Sequence, residues 1–401
     1  MSYFLTTVPV EVAVSSARSI GVLMPAEEVP LATAHGRILA ADIAADIDIP
    51  GFNRSSVDGY AVRSRDTIGA SESLPALLHL AGMVAMGGDA SDFLQPDSCI
   101  YVPTGGALPQ GSDAMVMVEY TEKIGDDVLI RRPVAPGENV VLRGEDFSAG
   151  SPALFRGTRL SPREAGALAA MGRAAVPVYR KPRVGVISTG NELVPVGDIP
   201  EGSQVRDINS WMCGAFLESQ GCIPDFSGIC RDDREALRGM LIGALHNCDA
   251  VLISGGSSKD DRDMTADLIR ESGEVLHHGI ALSPGKPTII GRVARKPVIG
   301  LPGHPASAYV VLLVIVQPLL TVMTGERERR PATMRALLAE NISSARGRDE
   351  YVRVRLEGTT ARPEFGKSGL INTLVRSDGL VRVPSGTEGF EEGEEVEVIL
   401  W

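Results

Sequence analysis

Between residues 183 and 325 the chain repeats one unit: a short apolar run, a glycine or hydroxyl break, then a helical spacing. Three copies are clear. Val184-Gly185-Val186-Ile187-Ser188-Thr189 runs into Gly190-Asn191-Glu192, and Val251-Leu252-Ile253-Ser254 into Gly255-Gly256. Pro297-Val298-Ile299-Gly300-Leu301 runs into Pro302-Gly303-His304-Pro305. Apolar runs without alternation mark strands covered on both faces, the pattern of a mostly parallel sheet between helices. The spacing therefore predicts a central three-layer α/β/α domain. Ligands of such sheets sit beyond the C-terminal strand ends. That rule gathers three loops at one edge: 189–192, 254–263 and 303–307.

The chemistry of these loops points to an anion. Strand, glycine turn and helix N-terminus together aim backbone N–H groups at negative charge. After Ser254-Gly255-Gly256 come Ser257, Ser258, Lys259, Asp260, Asp261 and Asp263. The carboxylates make sense beside a divalent cation; an ordinary polar βα loop is the plainer reading. Pro305 stands at a first helical position, which leaves the N–H groups after it for an anion. Lys286, in Ser283-Pro284-Gly285-Lys286-Pro287, adds a compact cation. His304 reads equally well as structural or catalytic. Asp58, Asp146, Glu192 and Asp263 are the candidate metal-holding or acid–base carboxylates, of which Mg²⁺ needs one or two. A nicotinamide dehydrogenase is the generic rival, weakened by the lack of a strand-linked GxGxxG.

The flanking regions differ in pattern. Residues 1–46 and 146–180 form an extended linking domain. It has a helix on Val12, Ala13, Ser16, Ala17 and Ile20, a short helical pattern at 31–43, and a helix opened by the capping box Ser161-Pro162-Arg163-Glu164. Residues 47–145 carry short apolar runs between glycines and prolines, a β-rich second domain. Residues 181–328 are the central domain, with Asp232 expected to cap the helix ending near His246. Residues 329–401 alternate apolar and polar, as in a small C-terminal β-barrel. With 39 Lys+Arg against 51 Asp+Glu, the net charge of −12 disfavours nucleic acid. Five cysteines without a CxxC suit buried thiols in a reducing compartment. The apolar run Ala306–Met323 contains Ser307, Gln317, Pro318 and Thr321 and reads as a buried helix, not a membrane span. With no signal-peptide pattern, a cytoplasmic location is expected.

Taken in order, the motifs resemble the molybdopterin molybdenumtransferases, the MoeA family that includes the E domain of gephyrin. The resemblance rests on PGFNRSSVDGYAVR at 50–63, PTGGALPQGSDAMVM at 103–117, RGEDFSAG at 143–150, GTRLSP at 157–162 and VGVISTGNEL at 184–193. It continues through RDDREAL at 231–237, VLISGG at 251–256, DMT at 263–265, PGKP at 284–287 and LPGHPAS at 301–307. It implies that adenylylated molybdopterin binds, AMP is hydrolysed off, and molybdate enters the dithiolene with the help of Mg²⁺. It also implies a homodimer of four-domain subunits, with each site between the central domain of one subunit and the second domain of the other. Adenylyltransferase, apo-molybdoenzymes or their chaperones are the further partners it suggests.

On this resemblance Asp58 and Thr104 face the site from the second domain. Asp146, Glu192 and Asp263 match acidic positions linked to activity, and Glu192 and Asp263 would hold the metal. Ser254, Gly255, Gly256 and Ser257 match the pterin-phosphate loop; Lys286, Pro302, His304 and Pro305 complete the substrate set. Arg353 and Arg376 are looser matches. The chain departs from the common pattern at Ser257-Ser258-Lys259-Asp260, at Ser283 ahead of PGKP where a lysine is frequent, and at His304 where asparagine is frequent. These departures lie at the oxyanion end and leave tungstate open beside molybdate. An adenylyltransferase, which needs only the central domain, and a non-catalytic pterin-binding scaffold are the other readings.

Overall fold

The computed structural model describes residues 6–88, 90, 93–255, 264–328 and 331–401. Its centre is a six-stranded sheet in the order Ile223–Cys230, Arg183–Thr189, Ala250–Gly255, Lys296–Leu301, Ile289–Val293, Gly273–His278. The first four strands run parallel, and Ile289–Val293 is antiparallel to both of its neighbours. The sheet is thus mixed, with five strands in one direction.

Both faces are covered, as unbroken apolar strands require. Leu252 and Val186 enter one core, with Cys213, Phe216 and Leu217 of the Asn209–Ser219 helix. Val251 and Ile253 enter the other, with Leu237 and Leu241 of the Arg234–Asn247 helix and Leu268 and Ile269 of Met264–Ser272. Each fully buried aliphatic side chain contributes about 1.5–3 kcal/mol, so this strand set is a rigid platform.

The apolar segment after Leu301 forms one long helical run, Pro305–Thr324, with a π-helical turn at Leu312–Val316. Among the described residues it is the one helix long and apolar enough to cross a membrane, but Leu312, Ile315, Leu319 and Met323 are fully buried in the protein core. The helix Val10–Ile20 lies against it. Val10, Ala13, Ala17 and Ile20 form a stripe that enters the central core, as i, i+3, i+7 spacing dictates. Val12, expected on the buried face, is exposed. So this first helix, grouped by sequence with the linking region, buries its apolar face in the central unit.

The rest of the linking region is discontinuous. Ala26–Pro30 pairs with Ala175–Tyr179 and Ile43–Ala44 with Pro152–Leu154, around a core of Leu39, Leu160, Leu168 and Val178. The capping box at Ser161 and Glu164 opens the helix Pro162–Ala170. The short helix expected at 31–43 is a single 3₁₀ turn, Leu31–Thr33. Beyond it, Ile38 and Leu39 bridge to Arg159 and Val178, and strand-like pairing to this second segment wins over local helix propensity.

The β-rich region is a six-stranded sheet in the order Ala114–Met117, Gly59–Val62, Ser98–Val102, Ala76–Met83, Asp127–Ile130, Thr121–Ile124. In the C-terminal region, Asp349–Glu357, Thr360–Pro363, Thr333–Leu338, Glu395–Leu400 and Gly379–Val383 pair in sequence. The last returns to the first, closing a five-stranded barrel.

Candidate functional site

The strand order places a topological switch point between Arg183–Thr189 and Ala250–Gly255. The helix after the first, Asn209–Ser219, covers one face, and the helix after the second, Met264–Ser272, covers the other. Between their C-terminal ends opens a cleft of about 1640 Å³. Open α/β sheets bind ligands at this position.

Glycine makes the close approach possible. Gly255 has φ +102°, and a Cβ there would lie 2.1 Å from the Thr189 carbonyl oxygen. Gly285, at φ +132°, leaves no room for a Cβ against Leu282 and Val311, and it sets the turn that carries Lys286. Backbone bonds hold the first loop: Gly190 N–H donates to the Cys230 carbonyl (3.0 Å) and Val205 N–H to the Glu192 carbonyl (2.8 Å).

Asn209 ties two loops together. Its buried Nδ2 donates to Ser254 Oγ (2.7 Å) and to the Gly303 carbonyl (2.9 Å). Its Oδ1 is buried and without a partner among the described residues. Beneath it, Ser188 Oγ donates to the buried Asp207 carboxylate (2.9 Å), which also accepts from Ser210 N–H (3.1 Å). Buried polar groups satisfied in this way specify one geometry.

The cleft walls differ in charge. One side carries Glu192, Asp232, Asp267 and Glu271, the last paired with Arg234. The other carries Lys286 and, from the C-terminal region, Arg346 and Arg348. Lys286 is exposed, and its ammonium has no partner among the described residues. Such a cleft can hold a polyanion at one wall and a cation at the other.

The C-terminal region reaches the third loop directly. His304 Nδ1 lies 2.8 Å from Ser368 Oγ, and Ala306 N–H donates to the Ser368 carbonyl (3.1 Å). That corrects one expectation: the first N–H after Pro305 is already taken, because the 366–370 loop docks on this helix end.

Of the residues singled out from sequence, Glu192, Gly255, Lys286, Pro302 and His304 line the cleft. Ser254 lies just beneath, on Asn209, and Pro305 is buried behind His304. Asp58, Thr104 and Asp146 are not among the described residues that line it. Asp58 Oδ1 accepts from Thr104 N–H (2.8 Å), so the bond ties two loops of the second region together. Asp146 N–H donates to the Ile49 carbonyl (3.0 Å), where the linking and second regions join. Gly256, Ser257, Asp263 and the Ser258-Lys259-Asp260 departure lie outside the described residues. Among the described residues no three His, Cys, Asp or Glu side chains converge as a metal centre. A hydrated Mg²⁺ needs only one or two carboxylates beside ligand oxygens, which Glu192 can begin to supply.

Asp232 does not cap the helix expected of it. The cap of the Arg234–Asn247 helix is Asp233, which accepts from Ala236 N–H (2.9 Å). Asp232 instead lines the cleft, held by Thr189 Oγ1 (3.3 Å) and, through its N–H, by Asn191 Oδ1 (3.1 Å). Asn209, Arg346, Arg348 and Ser368 were also missed. Asn209 stands beside a recognisable loop only in three dimensions, and the others come from a different domain.

Three family models cover most of the chain: the MoeA N-terminal region (domain I and II) over residues 8–172, a probable molybdopterin binding domain over 185–322, and the MoeA C-terminal region (domain IV) over 335–401. The chain is 31% identical to a molybdopterin molybdenumtransferase of Staphylococcus aureus, over 98% of this chain and 95% of that one. A solved molybdopterin biosynthesis moeA protein from Pyrococcus horikoshii OT3 superposes with a TM-score of 0.88 at 32% identity, covering 99% of this chain and 100% of that one. A second solved structure of a molybdopterin biosynthesis moea protein from Pyrococcus gives a TM-score of 0.82 at 40% identity, over 98% of this chain and 99% of that one.

Proposed function

The chain belongs to the MoeA family, the molybdopterin molybdenumtransferases of molybdenum cofactor biosynthesis, and we propose that its cleft takes adenylylated molybdopterin, releases AMP and inserts molybdate into the dithiolene. The observation that carries this reading is the cleft at the switch point, which the Ser254-Gly255 strand end adjoins and which is lined by acidic side chains and by Lys286, whose ammonium has no partner among the described residues. A phosphate-linked pterin presents its charge to Lys286 and to loop N–H groups. Glu192 and Asp263 would hold Mg²⁺, which when bound would neutralise charge on the phosphate oxygens. Glu192 and Asp232 orient water and ligand on the acidic wall. Hydrolysis breaks the phosphoanhydride, with water supplying the oxygen to one phosphate and AMP leaving with the other.

Asp58, Thr104 and Asp146 enter this reading through a second copy. A homodimer would bring the second region of one subunit to the cleft of the other, which is supported by their placement away from the cleft of their own subunit. The four-region division at 1–46 with 146–180, 47–145, 181–328 and 329–401, and a cytoplasmic setting, belong to the same reading.

The test is direct. The pure protein is incubated with adenylylated molybdopterin, Mg²⁺ and either molybdate or tungstate, and AMP release and cofactor formation are followed. AMP release with cofactor formation is expected; its absence with both oxyanions sinks the reading. Comparing the two oxyanions assigns the metal. Asp263→Ala keeps the fold and loses insertion; near-normal turnover would remove Asp263 from the site.

A further inference from the structure

At the end of the central sheet opposite the cleft lies a second cavity, of about 520 Å³. Arg183, Ile223, Asp249 and Lys296 line it where the four neighbouring parallel strands begin. Arg37 and Glu27 of the linking region close the other side. It therefore sits at the seam between two regions, apart from everything described above.

Its charge does not balance. Five Lys and Arg side chains line it against two carboxylates, on a chain whose net charge is −12. Three of the five cations are accounted for. Arg37 pairs with Glu27. Arg180 grips Asp249 with two hydrogen bonds of 3.0 and 2.8 Å. Lys296 Nζ donates to the Leu245 carbonyl (2.5 Å), matching the negative end of the Arg234–Asn247 helix. Burial alone would raise the Asp249 carboxyl, yet Arg180 and the Arg183 N–H hold it below its ordinary value, so it stays charged but already engaged.

Lys181 and Arg183 remain. They flank Pro182, so both project from one side of an extended segment into the same space. Lys181 Nζ has no hydrogen bond among the described residues, and the nearest carboxylate to the Arg183 guanidinium is Asp225, at 3.9 Å. His246 stands beside them. Two cations over one cavity repel each other unless an anion lies between them. A lysine beside an arginine is a common phosphate-binding pair. Among the described residues that line it there is no Phe, Tyr or Trp.

We propose that this cavity is a second anion site, taking a free phosphate-class dianion between Lys181 and Arg183 at the seam of the linking and central regions. Because the cleft also favours anions, the test removes that site first. Phosphate binding is measured by equilibrium dialysis with radiolabelled inorganic phosphate, at constant ionic strength, on the full-length protein. Lys286→Ala is expected to keep one saturable site. Adding Lys181→Ala and Arg183→Ala weakens that site at least about tenfold, whereas adding Lys181→Arg and Arg183→Lys retains it. No saturable site in Lys286→Ala, or one that survives the alanine pair, overturns the proposal. If the triple variant does not fold, Lys181→Ala with Lys286→Ala carries the test, with the same weakening expected and unchanged affinity overturning it.

Discussion

Asn209 shows how much a single side chain decides here. One amide nitrogen joins the second and third loops, and no other described side chain bonds both. Asn209→Ala leaves the buried Ser254 hydroxyl and the Gly303 carbonyl without that donor, at about 1–3 kcal/mol for an unsatisfied group. Stability should fall by roughly 2 kcal/mol in urea unfolding, and AMP release should fall further than stability alone explains. Equal activity at full folding would show that the two loops hold without it. The cysteines make a second residue-scale case. Burial pushes the Cys99, Cys213 and Cys222 thiols up to about 12 and Cys248 to about 11, from an ordinary 9.0. The folded pKa is raised, so the neutral thiols favour the native state in full below pH 9, and that contribution is lost as pH rises through 11 to 12. Iodoacetamide at pH 8 should spare these four in the native protein and label all of them in urea, and the urea midpoint should fall above pH 9. Rapid native labelling would contradict the burial. Buried thiols were legible from odd number and spacing; Asn209 was not, because its meaning lies in which loops the fold brings beside it.

At the scale of elements, the βα repeats of residues 183–325 were readable because the inner strands Arg183–Thr189, Ala250–Gly255 and Lys296–Leu301 are covered on both faces and so lose their alternation, whereas the edge strand Ile223–Cys230 is half-exposed and gives no such run. What local pattern could not give was the last residue of an element. Asp232 and Asp233 are equivalent as caps in sequence, and the turn geometry chooses Asp233. The two substitutions should therefore separate. Asp233→Ala is expected to cost about 1 kcal/mol of stability, the usual loss of a cap, with activity per folded molecule retained. Asp232→Asn should change stability by less than about 0.5 kcal/mol but lower AMP release about tenfold or more. Calorimetry beside the AMP assay reads both, and a reversed pattern would return Asp232 to the helix. The helix Val10–Ile20 carries the same lesson: its apolar stripe was visible, while the partner for that stripe, the Pro305–Thr324 helix, lies some 300 residues away along the chain.

At the scale of the whole molecule, the cleft gathers loops from the central and C-terminal regions, while Asp58, Thr104 and Asp146 sit elsewhere on the same subunit. If a second copy supplies them, Asp58→Ala and Lys286→Ala are each inactive but complement one another. Random reassortment gives half mixed dimers, each with one complete site of two, so about a quarter of wild-type activity should return on mixing. No recovery after confirmed subunit exchange would place each site within one subunit. The closed C-terminal barrel carries a different consequence. Around its ring each of the five strands is paired on both sides, so it offers no free strand edge to another chain. The ribbon of Ala26–Pro30 with Ala175–Tyr179 has its second strand bonded to Ile38–Ala40 on the far side, which leaves the outer edge of Ala26–Pro30. On warming, hydrogen–deuterium exchange should reach that ribbon first and the barrel last, and intermolecular β-sheet should nucleate from the linking region while the barrel still keeps its own strands to itself.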